Sequence, residues 1–316
     1  MGVTDIGGLV YSVFGLTVRS EIELPGLYEL PGQPPAVSDV VVRLKFASQP
    51  SESRRPGFSV GGDSGLLDIT NVGRFWITGG REITVEPDPG VSERDLRLFL
   101  LGSAFGALLH QRGVIPLHAN AIEIGGKAVA FAGSSGAGKS TLAAWFLDQG
   151  SRMISDDICA INVQAAEGPL VLGGLPRLRL CSDALIESGR GVEEFDQAFD
   201  GVNKYEVPAP QNSGIGPIAL GAIYLLARQD SRQSQPEISR LSGVEALDVV
   251  VANTYRGSFI KDLGVTSRHL AACLQIVSAV PIYKASRKWG FENFRDQAEE
   301  LERHAHRLVF SGKTEG

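Results

Sequence analysis

Cysteine is scarce: Cys159, Cys181 and Cys273 are the three in 316 residues, and no two have paired spacing. That excludes a disulfide frame and a thiolate zinc site, and it implies reduced thiols in a cytoplasmic protein, each packed as a small core side chain. Long apolar runs are also missing. The longest candidates, residues 99–109 and 215–227, have the length of a core helix or strand and fall short of the roughly 18 apolar residues of a membrane helix. The amino terminus has no basic segment followed by an apolar stretch, so no secretion signal is expected. Basic runs are absent, and the net charge is −6. Nucleic-acid binding leans on many lysines and arginines, so no nucleic-acid partner is expected, and the negative sign disfavours an anionic membrane surface. What remains, 43% hydrophobic and 21% charged residues, is the balance of a soluble globular protein long enough for one large or two ordinary domains.

Along the chain, short β-like runs alternate with turn clusters as far as residue 87: VYSVFGLTV, DVVVRLKF, FWITG and REITVEP. Between them lie the Gly/Pro/Ser-rich stretches Pro31–Pro35 and Pro50–Asp63, the second expected to be a mobile loop. This pattern predicts a small, mainly β domain over residues 1–90. A helix follows, with Ser92 as N-cap, Glu93 and Asp95 in its first turn, an apolar stripe from Leu96 to Leu108 and Gly113 at its end. VIPLHANAIEI and KAVAFAG flank Gly125-Gly126, which reads as a hairpin. Residues 140–150 read as a helix and RMISDDICAINV as one or two strands. Further helices are expected near 242–255, 266–278 and 291–306, the last amphipathic through Phe294, Ala298, Leu301 and His304, with a frayed tail after Ser311. Residues 91–316 thus read as a larger α/β domain.

Within it, residues 133–141 spell GSSGAGKST, a match to G-x-x-x-x-G-K-[ST], and the context fits: a β run feeds the loop and a helix leaves it. Gly133, Gly136 and Gly138 free the backbone so that the amides of Ser134, Ser135, Ala137 and their neighbours can point at phosphate oxygens. The helix dipole adds to the attraction. Lys139 is the natural contact for the β- and γ-phosphates of ATP, Ser140 supplies a hydroxyl to Mg²⁺, and Thr141 can reach the α-phosphate. Asp156 and Asp157 end an apolar run 17 residues beyond Lys139. One carboxylate can serve magnesium, the other can take a proton from an attacking hydroxyl, and their repulsion raises one pKa. His118, a lone histidine in a strand, reads as structural or catalytic. Lys204, Arg177 and Arg179 are candidates for balancing phosphoryl charge, with Arg256 behind them.

From about Val114 to Val163 the chain resembles the HPr kinase/phosphorylase family, on the succession of His118 strand, hairpin, Gly133–Ser140 loop and Asp156–Asp157 pair. The resemblance implies a P-loop kinase core similar to that of phosphoenolpyruvate carboxykinase, and phosphorylation of a serine on a peptide or protein. It implies Asp156 as general base with His118 as its partner, Lys139 in catalysis and Asp157 on the metal. A Glu-Arg-Gly element of the carrier-protein kinases is not evident; the corresponding stretch reads GGLPRLRLCSDAL. The amino-terminal FGLTVRSEIELPGL and the stretch VPIYKASRKWGFENF look more like the related serine kinases, which include lasso-peptide precursor kinases. A bifunctional carrier-protein kinase/phosphorylase and a non-catalytic, nucleotide-gated binding protein are the alternatives. The family also includes homo-oligomers, which makes a homo-oligomer a possible state here.

Overall fold

The computed structural model describes residues 8–30, 37–45, 55–199, 202–210, 212–229 and 236–311. Pro31–Pro35, residues 50–54 and the tail after Ser311 lie outside them. The fold is mixed α/β. Its first part is an eight-stranded sheet built from β1 (Leu9–Val13), β2 (Leu16–Ser20), β3 (Tyr28–Glu29), β4 (Val40–Leu44), β5 (Gly57–Gly61), β6 (Ser64–Ile69), β7 (Gly73–Thr78) and β8 (Glu82–Pro87), in the order 3-1-2-4-8-7-6-5. The β1–β2 hairpin closes through Phe14 and Gly15, both at positive φ, with the Phe14 ring fully buried. The expected mobile loop is corrected over residues 57–61, which form β5 and pair along β6. Phe58 stacks on Phe259 at 4.0 Å between ring centroids. The same ring fills the space beside Gly65, where a Cβ would come within 2.6 Å of it.

The helix after this sheet begins as expected. Ser92 Oγ accepts from the Asp95 amide at 3.1 Å, and α1 covers Glu93–Phe99. A π turn over Leu100–Ala104 leads into α2 (Phe105–Arg112), which stops at Gly113 with φ 76°. Leu100, Leu101, Phe105 and Leu108 bury themselves against Phe75 and Ile77 of the sheet, each contributing about 1.5–3 kcal/mol. Ile158, Leu175 and Phe259 join the same core, so it crosses the position where two domains were expected to divide.

The second sheet has nine strands among the described residues. The run VIPLHANAIEI splits into β9 (Ile115–Leu117) and β10 (Ala119–Ile124), and β11 (Lys127–Ala132) completes the Gly125-Gly126 hairpin. β12 (Met153–Ser155) flanks β10, and β13 (Cys159–Asn162) and β14 (Leu170–Val171) follow. β15 (Arg177–Leu180) and β16 (Tyr205–Pro208) make a separate ribbon. β17 (Ile218–Arg228) lies parallel to both β11 and β19 (Ile282–Arg287), with β18 (Glu237–Leu241) outside β19. The start of β17 carries β14, and through it β13 and β9.

Helices cover both faces. Along β11, Val129 and Phe131 face α3 (Lys139–Asp148) and α8 (Phe294–Ser311), in one core with Phe146 and Leu301. Ala128, Ala130 and Ala132 point the other way, and their small size admits Val249 and Val250 of α5 (Gly243–Ala252) and Cys273 and Ile276 of α7 (Thr266–Ala279). Two short helices, α4 (Ser182–Glu187) and α6 (Phe259–Asp262), complete the set. His304 of α8 meets Tyr224 at 2.7 Å. No helix among the described residues is long and apolar enough to cross a membrane.

Candidate active site

β11 ends inside the core, and the chain turns through Gly133 (φ 149°), Gly136 (φ 81°) and Gly138 (φ 80°) into the amino terminus of α3. Gly133 has no room for a side chain, since a Cβ would stand 2.8 Å from the Leu226 carbonyl oxygen. Gly136 opens onto free space. Lys139 folds back over the loop and donates from Nζ to the carbonyls of Gly133 (2.7 Å) and Ser134 (3.2 Å). Burial lowers its pKa, opposed by the nearby charge of Asp157. Asn120 of β10 donates to the Lys139 carbonyl, tying the helix start to the sheet. From the other side Arg287, 4% exposed, donates from Nη2 to the Ala137 carbonyl at 2.8 Å.

The two aspartates leave β12 at the edge of this loop. Consecutive residues of an extended strand point to opposite faces. Asp157 instead adopts the left-handed region at φ 65°, which turns its carboxylate into the same cavity as that of Asp156. Asp156 is 5% exposed and accepts the Arg179 amide at 3.1 Å. Burial, then the neighbouring Asp157, pushes its pKa up to about 6. Burial acts on Asp157 in the same sense. There the hydrogen bond and charge of His118, with the charges of Arg179 and Lys204, outweigh it and bring the pKa down to about 2.

His118 sits where β9 hands over to β10, its backbone amide fixed on the Asn253 carbonyl at 2.6 Å. Its Nδ1 lies 3.2 Å from Asp157 Oδ1. The pairing expected between His118 and Asp156 is therefore corrected: the histidine serves Asp157. The cause is the left-handed turn, which swings Asp157 towards β9 while Asp156 is held by the ribbon.

One cavity of about 160 Å³ collects His118, Ser135, Gly136, Gly138, Lys139, Ser140, Thr141, Asp156, Asp157 and Lys204. Of the candidate residues, Gly133 and Ser134 stay outside it and act through their carbonyls on Lys139, and Ala137 lines the next cavity. Arg179 joins the wall, 3.7 Å from Asp157 Oδ2. Arg177 shares that strand face but turns to Glu206 at 3.0 Å, and Arg256 lies over the Tyr255 ring; neither lines the cavity. Cys181, expected as core filler, stands with Asp183 on the cavity wall, whereas Cys159 and Cys273 are buried. Nothing in the local pattern marked Cys181, Asp183 or Arg287; β15, α4 and β19 bring them in from afar.

The donor set fits magnesium. Ser140 and Asp157 offer hard oxygen ligands to one cavity. No cluster of three or more acidic, histidine or cysteine side chains among the described residues makes an all-protein cage, and magnesium that shares its shell with phosphates and water needs none.

No protein-family profile matches the sequence, and no curated protein matches it. Among solved structures, the chain is similar to the Hpr(Ser) kinase/phosphatase from Coxiella burnetii, at 13% identity over 62% of this chain and 98% of that one, with a TM-score of 0.34. A TM-score that low gives the likeness no weight in assigning a function.

Proposed function

We propose that this chain is a phosphotransferase that moves the γ-phosphoryl group of ATP, with magnesium, to the hydroxyl of a serine in a peptide or protein. One observation carries the reading: the glycine loop with Lys139 and Ser140 opens onto the same cavity as Asp156 and Asp157. A polyphosphate cradle alone would suit a binding protein. A buried carboxylate with a pKa of about 6 beside the cradle supplies what transfer adds, a group that can take a proton near neutral pH.

The hydroxyl enters through an adjoining cavity of about 190 Å³ walled by Leu98, Ala198, Phe199 and Val202, which also reaches Asp156 and Lys204. Its oxygen bonds to the γ-phosphorus, the bond from phosphorus to the β,γ-bridging oxygen breaks, the proton passes to Asp156, and ADP leaves. Lys139, Arg179 and Lys204 offset the charge on the phosphoryl oxygens. Ser140 and Asp157 would hold magnesium, which when bound neutralises the β- and γ-phosphates. His118 keeps Asp157 ionised and oriented for that task.

The serine acceptor and a P-loop kinase core follow the sequence resemblance described above, and within it a lasso-type precursor peptide is the preferred acceptor; the small, mainly β amino-terminal domain over residues 1–90 follows the pattern of short strands and turns. Incubation with γ-labelled Mg-ATP and serine-bearing peptides, a lasso-type precursor among them, tests the reading by mass spectrometry of the peptide. A mass gain of one phosphoryl group on serine supports it. A chain that binds ATP and labels no hydroxyl acceptor in the panel would be a nucleotide-gated binding protein instead.

A further inference from the structure

The cavities along the glycine loop form a row, and the row has a direction. The phosphate cavity shares Asp156 and Asp157 with the acceptor side only. It also shares Gly136, Gly138, Thr141 and Asp183 with a cavity of about 140 Å³ that Arg287 lines. That cavity in turn shares Thr141, Phe291 and Phe294 with a cleft of about 330 Å³ between α3, α4 and the start of α8. No carboxylate of the Asp156–Asp157 pair reaches these last two. If phosphoryl transfer happens beside the aspartates, the remainder of the nucleotide extends past Thr141 into this end.

The chemistry there suits a nucleoside. Trp145, Phe291 and Phe294 present half-buried aromatic surface to the cleft, and Trp289 stands 42% exposed at the smaller cavity. Gln149 and Ser188 offer hydrogen bonds to the edge of a flat heterocycle, and the cleft also carries Glu187, Arg295 and Asp148, the last paired with Arg190. Arg287 supplies the second, independent observation. It lines the smaller cavity together with Asp183 and is 4% exposed; Nη2 donates to the Ala137 carbonyl at 2.8 Å and Nη1 to Gln297 Oε1 at 3.5 Å, Nε has no partner, and no carboxylate among the described residues stands within ion-pair distance of it. A buried guanidinium without a counter-charge is costly unless an anion reaches it.

We propose that the aromatic cleft is the nucleoside site: the purine base lies against Trp145 and Phe291, the sugar passes Thr141, and Arg287 faces the α- and β-phosphates. The assignment rests on the phosphotransfer reading above and adds to it which part of the nucleotide goes where. It also makes the cleft a discriminator between nucleoside triphosphates and bare polyphosphates.

Equilibrium binding of Mg-ATP and of magnesium with inorganic tripolyphosphate to the full chain tests it. Two of the three tryptophans, Trp145 and Trp289, stand at these cavities, so intrinsic fluorescence reports occupancy directly. ATP is expected to bind more tightly and to quench that emission, tripolyphosphate to bind without comparable quenching. Phe291→Ala should weaken ATP roughly tenfold, the scale of one base–aromatic stack, and leave tripolyphosphate unchanged. Ser188→Trp, which fills the cleft instead of emptying it, should do the same. Arg287→Gln should weaken both ligands alike. Equal affinity of the wild-type chain for both ligands, or cleft variants that spare ATP or weaken both ligands equally, would overturn the nucleoside assignment while the phosphate cradle stands. Failure of the wild-type chain to bind either ligand would overturn the cradle and the cleft together.

Discussion

Asp156 should weaken the fold that carries it, and the size of that penalty follows from its burial. Its carboxyl is held at about 6 against an ordinary 3.8, because at 5% exposure the anion has lost its water and faces Asp157. Below pH 3.8 the carboxyl is protonated in both folded and unfolded chains and contributes nothing. As pH rises from there to 6, the unfolded chain releases its proton first, so stability falls; above 6 the deficit is constant. Taking about 1.36 kcal/mol per pH unit, the gap between 3.8 and about 6 is worth about 3 kcal/mol at pH 8 and less than about 1 kcal/mol at pH 4. Asp156→Asn keeps an acceptor for the Arg179 amide and removes the charge. Urea midpoints of both chains in EDTA should therefore show the variant more stable by a few kcal/mol at pH 8 and nearly matched at pH 4. Excess magnesium at pH 8 should narrow the difference, since a cation compensates the wild-type anion. The same variant should lose phosphoryl transfer while retaining ATP affinity. A variant less stable than wild type at pH 8, or a gain identical at both pH values, would refute the reasoning.

Other perturbations reach the site from different sides. Lys139→Ala removes a charge-assisted contact worth about 1.5–3 kcal/mol, so ATP affinity should fall roughly ten- to 150-fold; an unaltered affinity by calorimetry counts against the cradle. Cys181 should be the thiol that iodoacetamide alkylates, because Cys159 and Cys273 are buried with pKa values pushed up to about 12. Mg-ATP should protect Cys181, which peptide mass mapping reads directly. Gly136→Ala meets open space and should cost only the left-handed penalty of about 1–2 kcal/mol in thermal or urea unfolding. Gly133→Ala, with its Cβ 2.8 Å from the Leu226 carbonyl oxygen, should cost clearly more.

Much of the site was legible because its parts are local. Glycines at 133, 136 and 138 between an apolar run and a helical stripe constrain one another within a few residues, and the cap at Ser92 and the turn at Gly125-Gly126 are local in the same way. β5 was not legible, since Gly57, Ser59 and Gly61 carry no strand signal and the pairing rests on Phe58 reaching Phe259 some 200 residues later. Arg287 braces a loop 150 residues away, a distance no local pattern spans.

The aspartate pair lies between these cases, and it shows what backbone geometry adds to a motif. Two adjacent carboxylates at the end of a strand would diverge if the strand simply continued, one into the cavity and one into the far face of the sheet. The left-handed turn at Asp157 converts neighbours in sequence into neighbours in one cavity, and aspartate is among the few residues that tolerate that conformation. The same turn divides their chemistry. Facing β9, Asp157 gains His118 and stays ionised; facing the β15–β16 ribbon, Asp156 gains one amide and too little charge to offset its burial. Two identical side chains thus acquire pKa values near 2 and 6, which fits one for a cation and the other for a proton.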